Sequence, residues 1–181
     1  MNLIKSTIIA FALSTGVAVA AENPMVGGAA MYADKNIVEN AVNSADHTTL
    51  VAAVQAAGLA ETLQGEGPFM VFAPTNEAFE MLPPGTVEML LKPENKDKLT
   101  AILLYHVVSA NALSDAIKKM VRDDGGAHPV KTVGGEQLMV RTESGNIYLY
   151  DTSGGIAKVT IADVRQSNGV IHVVNRVLIP R

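Results

Sequence analysis

Two of the four histidines in this chain of 181 residues lie in its most apolar stretches. The tripeptide His-Val-Val occurs twice, with His106 in LLYHVVS and His172 in NGVIHVVNRV. An imidazole among apolar neighbours can be a metal ligand, a general base, or a core group whose ring nitrogens are hydrogen-bonded. These three interpretations imply three different kinds of protein.

The spacing of the polar residues gives little support to catalysis or metal binding. Zinc sites need three or four ligands, often with two of them close in sequence, and no two histidines here are close. The best set of distant ligands would be His106, His172 and Asp163. No serine lies in a Gly-x-Ser-x-Gly frame, and YDTSGG is one altered copy of a motif that aspartic proteases need twice. We therefore predict no catalytic residue, no metal, no cofactor and no enzymatic activity.

Both histidines are instead predicted to be structural. His172 alternates with Val170 and Val174 and therefore shares a face with them. His106 follows Leu103 at helical spacing and leads directly into two valines, which places it where a helix passes into a strand. A buried polar ring without partners costs about 1–3 kcal/mol, so each ring should bond the backbone or a polar side chain.

The first 20 residues have the layout of a secretory signal peptide. Lys5 precedes the apolar core, and Ala18-Val19-Ala20 fits the cleavage rule, with processing after Ala20 or one residue later. Only 16 residues separate Lys5 from Glu22, fewer than the roughly 20 that a membrane span requires. The sequence predicts export, to the periplasm, the cell surface or the extracellular space.

Composition indicates one acidic domain that depends on its hydrophobic core. There is no cysteine, and the net charge is −4, with 14 Lys and Arg against 18 Asp and Glu. This charge argues against nucleic-acid binding. Removing the leader leaves roughly 160 residues, the size of a single domain. We divide the chain into a leader (1–20), a short extension (21–35) and one domain (36–181).

The first half of this domain is predicted to be mostly helical. Apolar residues at helical spacing follow Asp34 and Thr48, and the second run stops at Gly58. The segment from Phe69 to Ala73 is predicted to be a strand that ends at Pro74, with Thr75 capping the next helix. Further helical segments are predicted to begin at Thr86 and Pro93.

From about His128 onward the apolar residues alternate, as in strands. Asn168-Gly169 predicts a tight hairpin. The last run, VIHVVNRVLI, is apolar on both phases and indicates a central strand covered on both sides. Helices followed by mostly antiparallel strands define an α+β fold.

Three segments in order resemble the signature motifs of fasciclin-like domains: GPFMVFAPTNEAFEMLP, LLYHVV and SNGVIHVVNRVLIP. The resemblance extends from about residue 36 to residue 180. It implies a wedge-shaped β-sandwich flanked by helices, in a secreted or surface protein that mediates adhesion. The stretch 114–130 and the DTSGG turn are longer than expected for the family.

The resemblance also implies a partner-binding surface. Asp163 and Val164 match an Asp-Ile pair that is implicated in integrin binding in animal adhesion proteins, and Tyr105 with His106 matches the Tyr-His motif. Asp163 lies four residues after Val159, on the same face of the predicted strand, and that face is expected to point inward. Its carboxylate should therefore bond the following turn or project from the rim of the sheet.

Two functions follow as hypotheses. The first is an adhesion module that binds a protein or glycan at the cell surface or in the matrix, with weak self-association left open. The alternative is a carrier or enzyme with a pocket between helices and sheet for a small apolar ligand or glycan. A cavity of several hundred Å³ lined by polar groups would favour the alternative.

Overall fold

The computed structural model describes residues 23–181, so the predicted leader and its cleavage site lie outside the described residues. Helices in this part are α1 (Ile37–Ala41), α2 (Thr48–Ala57), α3 (Ala60–Gln64), α4 (Asn76–Glu80), α5 (Thr86–Leu90), α6 (Lys96–Tyr105) and α7 (Ser114–Asp123). Strands are β1 (Met25–Val26), β2 (Ala29–Ala30), β3 (Phe69–Pro74), β4 (Val107–Val108), β5 (Ala127–Lys131), β6 (Gln137–Glu143), β7 (Asn146–Tyr150), β8 (Ile156–Gln166) and β9 (Gly169–Val174). None of the helices in residues 23–181 is long and apolar enough to span a bilayer.

Seven strands form a sheet in the order β4-β3-β9-β8-β7-β6-β5. Only the β3–β9 pair is parallel among the described strands; the other neighbours are antiparallel. Strand β8 belongs to both halves of the sheet, because its first residues pair with β7 and the rest pair with β9. Two register shifts between Val159 and Val164 interrupt the β8–β9 ladder, and such irregularities bend a strand.

Two hydrophobic cores lie on opposite faces of the central strands. On β3, Met70 and Phe72 face a core shared with β6 and β7, while Val71 and Ala73 face the helices. The side chains of β9 alternate between the same two cores. Side chains of the two halves of the sheet thus meet as in a sandwich, with helices against the outer face. The predicted α+β fold and the central strand covered on both sides are confirmed.

Most predicted helix boundaries are confirmed, with one shift at the first helix. Thr75 accepts the N–H of Ala78 at 3.3 Å and begins α4, and Gly58 ends α2 in the left-handed conformation. The first helix is capped by Asn36 rather than Asp34, because Asn36 and Glu39 bond each other's backbone N–H groups. This reciprocal capping box supplies two N-terminal donors with acceptors.

Helix α7 was not predicted, although it lies between β4 and β5 in the mostly helical first half of the domain. Its buried apolar side chains, Ile117 and Val121, are four residues apart and pack into the sandwich core. The described part of the predicted extension 21–35 packs on the domain. Val26 and Met31 are buried in the helical core, so contact with the domain begins well before residue 36.

The hairpin predicted at Asn168-Gly169 is confirmed, but Gly169 serves a different purpose there. Gln166 pairs with Gly169, which leaves Ser167 and Asn168 as the two-residue loop. A Cβ atom at Gly169 would overlap the carbonyl oxygen of Phe69. Glycine is therefore required because two backbones approach closely, not because of the turn geometry.

Candidate functional site

His106 lies between α6 and β4 and is 2 % exposed. Its Nδ1 is 2.8 Å from the carbonyl oxygen of Ile102, and its Nε2 is 2.9 Å from the backbone nitrogen of Leu178. A carbonyl only accepts and an amide only donates, so Nδ1 carries the proton and Nε2 accepts. Burial lowers the pKa of His106 to about 4, which keeps the ring neutral.

His172 has the opposite arrangement of donor and acceptor. It is fully buried on β9, its Nε2 is 3.0 Å from the oxygen of Ala112, and its Nδ1 accepts the N–H of Asp163 at 3.3 Å. The proton must therefore be on Nε2. Burial lowers the pKa of this ring too. The predicted burial and hydrogen bonding of both histidines are confirmed.

The residues named as the best zinc set are not arranged as ligands. Each nitrogen of His106 and His172 faces a backbone partner, and the carboxylate of Asp163 is bonded to Ser114. Across residues 23–181 there is no group of three His, Cys, Asp or Glu side chains that could hold a metal ion.

Asp163 lies in the irregular part of β8 with a φ of 63°, in the left-handed region. Its carboxylate accepts the N–H of Ser114 at 2.6 Å and the hydroxyl of Ser114 at 2.5 Å. Ser114 is the first residue of α7, where N–H groups lack partners within the helix. Of the two expected arrangements, the bond to the following turn is wrong, because Asp163 binds the start of a helix 49 residues away while remaining partly exposed.

The other predicted contact residues are buried. Tyr105 is 1 % exposed, and its hydroxyl donates to the oxygen of Gln137 at 3.0 Å and accepts the N–H of Thr152 at 3.1 Å. Burial also raises the pKa of this phenol. Val164 is fully buried in the helical core. Only Asp163 is partly exposed among the four residues, so a partner could touch Tyr105, His106 or Val164 only if the domain opened locally. Their role in binding stays a prediction.

From Leu178 onward, side chains hold the end of the chain. Besides the bond from Leu178 to His106, the N–H of Ile179 donates to Asp151 at 3.0 Å. Asp151 also accepts N–H groups of Ser153 and Gly155. Sequence reasoning considered DTSGG as an altered protease motif and as a long turn, but not as a brace for the C-terminal segment. An aspartate two residues before a serine in a Gly-rich turn is the signal that could have identified this bracing carboxylate.

A cavity lies between the helices and the sheet, where the alternative function would need a pocket. It measures about 40 Å³, and apolar side chains such as Leu50, Leu63 and Val71 line it. Ligand sites measure about 300–1,000 Å³. This cavity is therefore too small for the predicted apolar ligand or glycan.

A larger concave surface, which sequence reasoning missed, lies at the β8–β9 hairpin. We call it the polar groove. It comprises a depression of about 500 Å³ and an adjoining one of about 320 Å³, which share Asn111, Gln166 and Gly169. The end of α3 at Gln64 and the loop that follows it to Pro68 line the first depression, and Arg165 lines the second. The ends of two family motifs, at Gly67-Pro68 and at Ser167–Gly169, contribute to this groove, but its other walls come from distant segments.

The floor of the polar groove is braced by Asn168. Its Oδ1 accepts the N–H of Ile37 at 3.1 Å, and its Nδ2 donates to the carbonyl oxygens of Leu63 at 2.7 Å and Gly65 at 3.0 Å. One side chain thus joins the hairpin to the start of α1 and to the end of α3. Asp163 supports the opposite wall of the groove. It bonds Ser114, which lies three residues after the groove-lining Asn111.

Comparison with known proteins places this chain in a family. The Fasciclin domain family model matches residues 45–180. The protein sll1483 of Synechocystis sp. is 44% identical over 159 residues, covering 88% of this chain and 81% of that protein. The transforming growth factor-beta-induced protein ig-h3 of Sus scrofa is 40% identical over 131 residues, 72% of this chain but 17% of that protein.

A solved structure supports the fold. The FAS1 domain pair from the insect cell adhesion molecule Fasciclin I superimposes with a TM-score of 0.70, covering 80% of this chain and 50% of that chain at 17% identity. The predicted resemblance is confirmed by both kinds of comparison. The chain belongs to the fasciclin domain family.

Proposed function

We propose that this protein is an exported interaction module that attaches to a protein or glycan at the cell surface or in the extracellular matrix. The observation that carries the proposal is the polar groove, which has exposed polar side chains and opens to solvent at the β8–β9 hairpin, unlike an enclosed pocket between the helices and the sheet. The buried groups His106, His172 and Tyr105 all bond the backbone. The family supports it, since Fasciclin I is a cell adhesion molecule by its description.

Binding rather than catalysis is the function that the arrangement of side chains favours. The histidines best placed for acid–base chemistry, His106 and His172, are buried and use both ring nitrogens on the backbone. A general base needs a lone pair within reach of a substrate proton. Neither ring offers one.

We place the partner-binding surface on the rim of the polar groove beside Asp163. Asp163 is partly exposed and bonds Ser114 at the start of α7. This helix start lies three residues after Asn111, which lines the groove. Val164, Tyr105 and His106 lie beneath the surface. We assign them an indirect part in binding, in which they hold the rim in place.

Attachment of the mature protein tests the function and its placement separately. The mature protein, immobilised, is exposed to intact cells and to cell-surface and matrix extracts, and we expect specific retention. Failure of the wild type to retain any component would refute the function.

The placement is tested with Asp163→Ala, with Asp97→Ala on α6 as the control because Asp97 is an exposed acid far from the groove in sequence. We expect Asp163→Ala to reduce attachment while circular dichroism shows a folded domain. If the folded variant attached as well as wild type, the placement would be wrong and the segment 114–130 would be examined next.

A further inference from the structure

We propose that the polar groove binds a neutral, hydroxyl-rich oligosaccharide. This assigns a partner class within the interaction function proposed above and rests on it. The groove has the size of a ligand site, since its larger depression of about 500 Å³ lies within the range of roughly 300–1,000 Å³. Size alone does not select a ligand, so the chemistry of the lining decides.

The groove walls present polar side chains that the fold does not use. Gln64, Asn111, Arg165 and Ser167 are exposed, and within residues 23–181 their side chains make no hydrogen bond or ion pair. Each primary amide offers two donors and an acceptor, and the serine hydroxyl is both donor and acceptor. Sugar hydroxyls also donate and accept, so the two sets match.

The charge of the groove selects against a polyanion. Arg165 is the one cation and Glu66 the one anion among the lining residues, and the whole chain has a net charge of −4. Recognition of sulfated or nucleic-acid chains relies on clusters of basic residues. A neutral ligand is the class that this balance fits.

The apolar content of the groove selects against a peptide. Protein partners are bound mainly through aromatic and large apolar anchors in pockets. Pro68 and Leu113 are the largest apolar side chains along this groove, and neither offers a deep pocket with aromatic walls. A ligand bound by many modest hydrogen bonds, such as an oligosaccharide, fits better.

The groove is formed before any ligand arrives. Asn168 braces its floor with three hydrogen bonds, and the backbone of Phe69 bonds that of Asn168 at 3.0 Å. Ser167 is fixed by its N–H, which donates to the oxygen of Lys35 at 2.9 Å. A preformed site loses little conformational entropy on binding. The small loss of entropy favours binding here, because each hydrogen bond to the ligand replaces one to water and so gains little free energy.

The test uses the mature protein and short oligomers of glucose, mannose and N-acetylglucosamine at millimolar concentration. Saturation-transfer NMR is expected to show contact with at least one series. Asn111→Ala/Arg165→Ala should weaken binding at least about tenfold, since a neutral hydrogen bond is worth a factor of a few and one from the charged guanidinium is worth more. Ser167→Trp fills the groove from an exposed position and should abolish binding.

The matched control is Asn146→Ala/Arg122→Ala, which removes the same side-chain types outside the groove. This control should bind like wild type, and the affinity should change little with salt. The proposal is overturned if no neutral oligomer binds, if binding survives both groove variants, or if only acidic oligomers bind in a salt-dependent way. Cell or matrix attachment that persists in the groove variants would overturn this ligand class while leaving the interaction function standing.

Discussion

The backbone N–H of Leu178 donates to Nε2 of His106 across 2.9 Å, although 72 positions separate the two residues in the chain. The other ring nitrogen donates to Ile102, one turn back on α6. The imidazole therefore joins the end of α6 to the chain beyond β9. This link explains why a polar ring stands in the apolar run LLYHVV.

His106→Ala should lower the free energy of unfolding by about 1–3 kcal/mol, because the carbonyl of Ile102 and the N–H of Leu178 would lose their partner in a buried place. Urea denaturation measures the loss, and hydrogen exchange should show the amide of Leu178 losing protection. His128→Ala is the control, since His128 lies on edge strand β5 and bonds Asp124 at the surface. Unchanged stability together with a protected Leu178 amide would contradict the assignment.

Stability should fall as the pH is lowered from about 6.5 to about 4. The pKa of His106 is lowered to about 4 in the folded state by burial, against an ordinary value of 6.5, so the unfolded chain binds the proton more readily in this window. The shift corresponds to roughly 3 kcal/mol, fully present above pH 6.5 and lost by pH 4. Burial also lowers the pKa of His172 and His47, which adds in the same direction.

Urea midpoints across this pH range measure the effect. His106→Ala should show a shallower dependence on pH than wild type, whereas His128→Ala should keep the wild-type slope. An unchanged slope in His106→Ala would mean that its ring is not the neutral, buried group described above.

Asp163→Ala should lower the free energy of unfolding by about 1–2 kcal/mol, as the loss of a helix cap does. The change removes both acceptors at the start of α7 and places alanine in the left-handed conformation. Ser114→Ala should cost less, because its backbone N–H still reaches the carboxylate. A double-mutant cycle that showed no coupling between positions 114 and 163 would argue against this contact.

Zinc should not raise the melting temperature of the wild type or of His172→Ala. Both nitrogens of His172 are bonded to backbone groups, so a metal would have to displace these bonds. Thermal melts with added zinc and with a chelator test this. A zinc-dependent increase in wild type that His172→Ala abolishes would reverse the structural interpretation.

We predict that the mature protein begins at Ala21 or Glu22, because Lys5, the apolar core and Ala18-Val19-Ala20 have the layout of a cleavable export signal. Mass spectrometry of the protein isolated from its native source measures the N-terminus. Detection of a stable product that retains residues 1–20 would refute the prediction.

The sequence by itself determined the class of fold and most of its elements. Caps such as Thr75 and stops such as Gly58 act within one helical turn, and apolar alternation in VIHVVNRVLI follows from the pleat of a strand. Signals of this range can be read from neighbouring residues. Helix α7 carried such a signal in Ile117 and Val121 and could have been predicted as well.

Only the tertiary structure decided what the polar residues do. Asp163 could have bonded a local turn, and its actual partner Ser114 became available only when the bend in β8 brought the start of α7 beside it. The polar groove is likewise built from Gln64, Asn111 and Arg165, which lie on separate segments. Hydrogen bonds and cavities between distant segments depend on how the whole chain packs, and sequence spacing carries no record of that.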